Sequence, residues 1–317
     1  SVQMAPRGAP VVIDGLCLAD ASMRSSFDRA LKVIERDVPV LLQGETGTGK
    51  EAFAAALHRA SSRARKPFVA LNCAAIPETL IESELFGYRG GSFTGARKEG
   101  MTGKLQQAEV GILFLDEIGD MPLALQTRLL RVLEERQVVP LGSATPQPLD
   151  VRLVSASHRD LHVLVAEGRF REDLYYRLNG LIVALPALRE RTDKSVLLDF
   201  LLTEEARGEA IALNVDARDM LLANAWPGNV RQMRNVLRTL IALCENGRIG
   251  VDDVAGVLPS DAAHVAPSSD PLGAAEHEAL VAVLEARQWH MSRVAEQLGI
   301  SRNTLYRKLR KYGIARP

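Results

Sequence analysis

The chain has 317 residues, 47% of them hydrophobic and 25% charged, with basic and acidic side chains balanced at 39 each. This is the composition of a soluble globular protein with room for two or three domains, and neutral overall charge excludes a bulk-charge mode of nucleic-acid binding, so any such surface must be local. No apolar run approaches the ~18 residues of a membrane span and no secretory pattern opens the chain, so a cytoplasmic protein with no membrane partner is expected.

The three cysteines, Cys17, Cys73 and Cys244, are odd in number and far apart. They read as buried thiols of a reducing compartment, with no disulfide or metal framework. Residues 1–10, SVQMAPRGAP, form a loose segment that suggests a fragment whose N-terminal part is missing.

From residue 39 the chain runs PVLLQ, then GETGTGKE, then AFAAALHRAS: an apolar strand, a glycine-rich loop and a helix. Further strands are expected at 67–73 (PFVALNC), 112–116 (ILFLD), 150–157 (DVRLVSAS) and 181–186 (LIVALP). Helical stretches such as 123–136 (LALQTRLLRVLEER) separate them. Strands alternating with helices predict an α/β domain built on a parallel sheet. After Pro186 only helices are expected, over 193–257, with turns at 224–229 and 245–250. Residues 258–271, LPSDAAHVAPSSDP, read as a flexible linker, and 272–317 as helical again with a break at LGIS.

The loop Gly44-Glu45-Thr46-Gly47-Thr48-Gly49-Lys50 matches G-x-x-x-x-G-K in the required strand-to-helix setting. Its glycines let successive backbone N–H groups turn inward around a phosphate, the helix N-terminus adds its dipole, and Lys50 would neutralise the β- and γ-phosphates of ATP. Glu51 stands where a Ser or Thr hydroxyl normally holds Mg²⁺. The apolar strand ending in Asp116-Glu117 supplies the second half of such a site. Asp116 would hold Mg²⁺ through water, and Glu117 would polarise the attacking water. Together the two motifs predict an ATPase.

Residues 87–96, GYRGGSFTGA, fit neither strand nor helix periodicity, and Phe93 is too apolar for a solvated turn. With GETGTGKE, ESELFG (82–87), LFLDEIGD (113–120), FREDLYYRL (170–178), LRER (188–191) and WPGNVRQ (226–232), this loop makes 11–257 resemble the AAA+ domain of bacterial enhancer-binding proteins that activate sigma-54 RNA polymerase. YYRLNGL is similar to the acetoin-catabolism regulator branch.

The resemblance implies an α/β subdomain over 11–187, a helical lid over 188–257, a sensor domain upstream, and assembly from dimers into a hexameric or heptameric ring. In that family Gly91, Ser92, Phe93, Thr94, Gly95 and Ala96 would form the tip of the loop that grips sigma-54, with Ser92 in place of the usual alanine. Arg171 and Arg177 fall where the family has arginine fingers reaching a neighbouring subunit's γ-phosphate. Arg231 resembles the sensor II arginine of the lid. Asn72 resembles the residue that restrains the catalytic glutamate, Glu117. Ser157 and His158 occupy the sensor I position, usually Thr-Asn; His158 either senses phosphate or fills space.

The tail is legible without the resemblance. Residues 291–313, MSRVAEQLGI-SRNTLYRKLRKYG, read as helix, turn, helix. From Ser301 onward there are six basic residues and no acidic one. Ser301 would cap the second helix, Arg302, Asn303 and Thr304 would reach base edges, and Arg307 and Lys308 would meet phosphates. The resemblance makes 272–317 a Fis-type domain binding enhancer DNA. The competing reading is a DNA-bound ring ATPase of another kind, such as a helicase loader or unfoldase, which has no need of the GSFTGA loop.

Overall fold

The computed structural model describes residues 12–258, without 14, 93–97 and 245, and also Val294. The chain divides into two compact units, 1–254 and 255–317. The expected helix-turn-helix and its contacts at Ser301, Arg302, Asn303, Thr304, Arg307 and Lys308 lie outside the described residues.

The first unit is organised by a five-stranded sheet. Its strands are β1 (Val40–Gln43), β2 (Phe68–Asn72), β3 (Ile112–Asp116), β4 (Arg152–Ser157) and β5 (Leu181–Ala184). They lie in the order β2-β3-β4-β1-β5, and every pairing is parallel. Parallel strands need crossovers that cover both faces, which is why the inner strands are apolar runs rather than alternating ones. The pleat still sorts them. Val40, Leu42, Ile112, Phe114, Val154 and Ala156 face a core with the helices Ala21–Ile34 and Lys50–Ala60. Leu41, Leu113, Leu115 and Leu153 face a second core with Leu129, Leu161 and Leu174. Period 2 along each strand thus builds two cores from one sheet. Phe53, fully buried and edge-on to Phe27 at 5.3 Å, is central to the first; truncating it to Ala would cost about 3–5 kcal/mol.

The chain leaves β1 in one direction to reach β2, and leaves β4 in the other to reach β5. Ligands of open parallel sheets bind beyond the strand carboxyl ends at such a switch point, and the glycine-rich loop follows β1 there.

After β5 the chain forms the helices Lys194–Ala206, Val215–Ala223, Asn229–Leu243 and Val251–Val257. The expectation of helices alone is corrected here. Ala212–Leu213 and Arg248–Ile249 pair as a short parallel ladder, and the second strand falls inside what reads as a turn. Two-residue strands carry no periodicity to read. Two more short hairpins, Val12–Ile13 with Leu16–Cys17 and Gln137–Val138 with Gln147–Pro148, escape sequence reading for the same reason.

A buried polar network joins the start of this helical segment to the first helix. Arg191 clasps Asp193 with two hydrogen bonds of 2.7 and 2.8 Å and donates to the Cys17 carbonyl. Asp193 accepts from the Asp20 backbone N–H, and Asp20 caps the helix through Ser22 and Met23. Among the described residues no helix is long and apolar enough to cross a membrane.

Candidate functional site

The glycine-rich loop turns because Gly47 and Gly49 adopt φ of 83° and 100°, a region that residues with a Cβ rarely enter. Gly47 is also close-packed: a Cβ there would meet the Gly228 carbonyl oxygen at 2.4 Å. Lys50, directly after Gly49, opens the following helix and is buried. Its Nζ donates to the carbonyls of Gly44 (2.8 Å) and Glu45 (3.3 Å), and lies 3.9 Å from Glu117 Oε1. Thr48 Oγ1 closes the loop on the Glu45 carbonyl at 2.8 Å.

A cavity of about 310 Å³ opens over this loop. Thr46, Gly47, Thr48, Gly49, Lys50, Glu51, Asp116, Glu117 and Arg231 line it, with Arg191, Arg234 and the apolar Gly15, Leu16, Cys17, Leu197, Leu201 and Val230 completing the wall. The structure therefore brings together the loop, the carboxylate pair at the end of β3 and Arg231 of the helical segment. A larger cavity, about 430 Å³, is lined by Tyr88, Arg89, Met101, Gln106, Pro140 and Gln147 among others, and by none of the phosphate-handling residues.

The charges in the first cavity are under-solvated. Burial pulls the Lys50 ammonium below its usual range, with Glu117 and Asp116 opposing. Burial pushes the Asp116 carboxyl up, and the neighbouring Glu117 charge adds to it. A buried cation beside a glycine-rich loop at a helix N-terminus suits a polyphosphate, and a destabilised carboxylate suits a cation. The residues present therefore fit a nucleotide with Mg²⁺. Cys73, buried behind Asp116, has its thiol pushed up to about 12 by burial and by the carboxylates, so it stays protonated.

Several expected site residues sit elsewhere. The Glu45 carboxylate turns away from the loop to accept from Arg189 and from Asn229 Nδ2, at 3.1 Å for the latter. The expected contact of Asn72 with Glu117 is also corrected. Asn72 Nδ2 donates to Asp116 Oδ2 at 3.1 Å, and its Oδ1 accepts from Ala74 and Ala75, because a residue ending β2 pairs across the ladder with Asp116. Glu117 is instead held by His158. Ser157 Oγ serves its own turn, bonding Arg159, and its carbonyl accepts from Gly44 N–H at 3.4 Å. Glu117, Asp120 and His158 offer three metal-ligand atoms within 4.8 Å, but Arg159 already pairs with Asp120 at 2.9 Å.

Arg171 and Arg177 are not among the cavity's lining residues. Arg171 is bonded to Asp173 two residues on, and Arg177 donates to the Leu133 carbonyl at 2.7 Å. Of the expected partner-gripping loop, Gly91 and Ser92 are described, and Phe93, Thr94, Gly95 and Ala96 lie outside the described residues. Its stem is pinned: Tyr88 and Met101 exchange two backbone bonds of 2.9 Å, Leu141 N–H donates to Gly87, and Ser92 Oγ donates to the Leu141 carbonyl.

Sequence reading misses Asn229 and Arg189. Asn229 is fully buried at φ 53° and uses its whole amide: Oδ1 accepts from Leu188 N–H, and Nδ2 donates to Glu45 and to the Thr46 carbonyl at 3.0 Å. Arg231 N–H adds a bond to the Gly47 carbonyl at 3.2 Å. The signal lies within WPGNVRQ, in the asparagine beside the glycine, two residues before Arg231.

The sheet order, the phosphate loop after β1, the carboxylates ending β3 and the helical segment over them define a P-loop ATPase domain of the AAA+ class. Family comparison gives the rest: residues 16–184 match the sigma-54 interaction domain, 189–270 an AAA+ ATPase lid domain and 271–312 the Fis family of bacterial regulatory proteins. The chain belongs to the sigma-54-dependent transcription regulators.

Similar proteins include the acetoin catabolism regulatory protein of Cupriavidus necator, 49% identical over 97% of this chain and 48% of that protein. The transcriptional regulatory protein ZraR of Klebsiella oxytoca is 42% identical over 95% of this chain and 69% of its own length. The crystal structure of Brucella abortus NtrX in complex with ATP superimposes with a TM-score of 0.67 at 33% identity, covering 97% of this chain and 70% of that one. The chain spans about half the length of the acetoin regulator.

Proposed function

We propose that the chain is the motor and DNA-reading part of a sigma-54-dependent activator: it binds enhancer DNA and uses ATP hydrolysis in a ring of subunits to remodel the sigma-54 RNA polymerase holoenzyme for open-complex formation. The observation that carries this is one cavity, in a chain of this family, that joins Lys50, Asp116 and Glu117 to Arg231 of the helical segment. In the proposed layout 11–187 is the α/β subdomain, 188–257 the lid, 258–271 a linker and 272–317 the DNA-binding domain.

In that reading Lys50 and the loop N–H groups bind the β- and γ-phosphates, and Asp116 holds Mg²⁺ through water. The ion, when bound, neutralises charge on the phosphate oxygens. Glu117 takes a proton from the attacking water. Arg171 and Arg177 stabilise the γ-phosphate charge of a neighbouring subunit, which their position outside the cavity of their own chain favours. Arg231 and Asn229 link the state of the loop to the lid.

The loop at 91–96 is the grip on sigma-54. Its described residues, Gly91 and Ser92, do not line the nucleotide cavity, so hydrolysis and grip are taken as separable functions. Thr94→Ala is expected to keep ATP turnover and abolish open-complex formation, measured by ATPase assay and transcription from a sigma-54 promoter. Parallel loss of both would move the loop into ring assembly or catalysis, and full activation would leave it without this role.

A further inference from the structure

His158 is the residue whose role the sequence leaves open between sensing phosphate and filling space. The structure places its ring Nδ1 2.6 Å from Glu117 Oε2, and its backbone N–H donates to the same oxygen at 3.2 Å. A carboxylate oxygen offers two lone-pair sites, and both at Oε2 are thereby taken. Oε1 is the oxygen left for other chemistry, and it faces Lys50 Nζ at 3.9 Å.

Three further observations agree. Glu117 has φ 51° and ψ 48°, a conformation that a residue with a Cβ holds only where its surroundings fix it. The fixing comes from His158, from the Glu117 N–H to Asp116 Oδ1 bond of 3.1 Å, and from the turn bond of Asp120 N–H to the Glu117 carbonyl. Other candidates to hold the Glu117 carboxylate are engaged: Asn72 on Asp116, and Arg159 on Asp120. His158 does not line the nucleotide cavity, which argues against direct contact with phosphate.

We infer that His158 is a positioning residue for ATP hydrolysis. It binds Glu117 by Oε2 and so presents Oε1 as the proton acceptor. The water oxygen bonds to the γ-phosphorus, the water proton goes to Oε1, and the bond from the γ-phosphorus to the bridging oxygen breaks with its electron pair leaving on ADP. This rests on the ATPase reading above.

The test uses two isosteres. The amide Nδ2 of asparagine hangs from Cγ as the ring Nδ1 does, whereas glutamine carries its amide one carbon further out, near the place of ring Nε2. His158→Ala is expected to lower kcat about 10–100-fold, the usual effect of losing an orienting partner, with nucleotide affinity unchanged. His158→Asn restores most of kcat and His158→Gln does not. In the nucleotide-free protein, Glu117→Gln shifts the His158 Nδ1 nitrogen resonance.

A phosphate sensor acting through Nε2 would give the reverse order, with Gln rescuing and Asn not, and would overturn the proposal. So would an unchanged or raised kcat in His158→Ala, or an unmoved Nδ1 resonance. A wild-type chain that hydrolyses no ATP overturns the ATPase reading as well; wild-type turnover with any of those results overturns this inference alone.

Discussion

The nucleotide cavity and the helix Glu172–Leu178 handle charge in opposite ways. In the cavity Lys50 and Asp116 are drawn out of water, attract each other, and have their ionised forms destabilised by burial. At the N-cap of the helix, the Arg171 side chain is 41% exposed and satisfied by Asp173 two residues on. The first region holds groups waiting for a ligand within the chain. The second presents cations whose partners at hand are weak, since an exposed pair contributes little and exchanges readily. A site assembled between subunits requires that division: the buried half must be built in, and the exposed half must be free to leave its local partner.

The sharpest way to break the comparison is to remove the cations. Arg171→Ala or Arg177→Ala is expected to reduce ATP turnover by about 10³–10⁵, the range for a trans-acting arginine. Mixing either variant with Lys50→Ala subunits, which keep both arginines, restores part of the activity because intact half-sites recombine. Absence of rescue in mixed rings would confine both arginines to their own chain. Removing the base is next in size: Glu117→Gln is expected to lower kcat by about 10²–10⁴ while ATP still binds, because Lys50 and Asp116 remain. Near wild-type turnover would show that another group takes the proton.

The two regions also differ in how legible they are in the sequence. The five sheet strands are read within two residues at each end because buried parallel strands are apolar runs, and Asp116 and Glu117 stand at the end of one. The loop is legible because glycines at fixed spacing followed by lysine have few structural alternatives. What cannot be read is pairing at long range. Glu45 meets Arg189 across 144 positions and Asn229 across 184, and nothing local in GETGTGKE marks its second residue as a lid contact rather than a phosphate contact. Asn72 fails for a related reason: strand register carries it to Asp116, and register depends on the partner strand.

Asn229 sharpens the comparison from the cavity side. Replacing it with Ala leaves the Leu188 N–H and the Thr46 carbonyl without their partners and keeps a Cβ at φ 53°, a conformation that Ala tolerates less well than Asn. The expected loss is about 1–3 kcal/mol of stability, the cost of unsatisfied buried groups, together with weaker nucleotide binding. Asn229→Gly relieves the backbone strain and keeps the polar loss, so thermal unfolding of the two variants separates the two effects. Equal stability of wild type and both variants would remove the asparagine from the link between loop and lid.

The smallest effect is a pH dependence, and its sign follows from Glu45. Bonds from Arg189 and then Asn229 hold the Glu45 carboxyl at about 2, below its ordinary 4.5. A carboxyl depressed in the folded state stabilises it above the unfolded value and loses that contribution as pH falls through the folded one. The link between loop and lid is therefore fully present at neutral pH and weakens from about pH 4.5 towards about 2. Other carboxylates titrate over the same interval, so the quantity to measure is the difference in Tm between wild type and Glu45→Gln. That difference is expected to be constant from pH 7 to 5 and to close on further acidification, since the amide cannot ionise and the protonated acid no longer pairs with Arg189. It is also expected to shrink in high salt, because the pair is exposed and screened. A gap that widens in acid would mean that Glu45 is bound to the lid in its neutral form, and the charge pairing assigned to this link would be wrong.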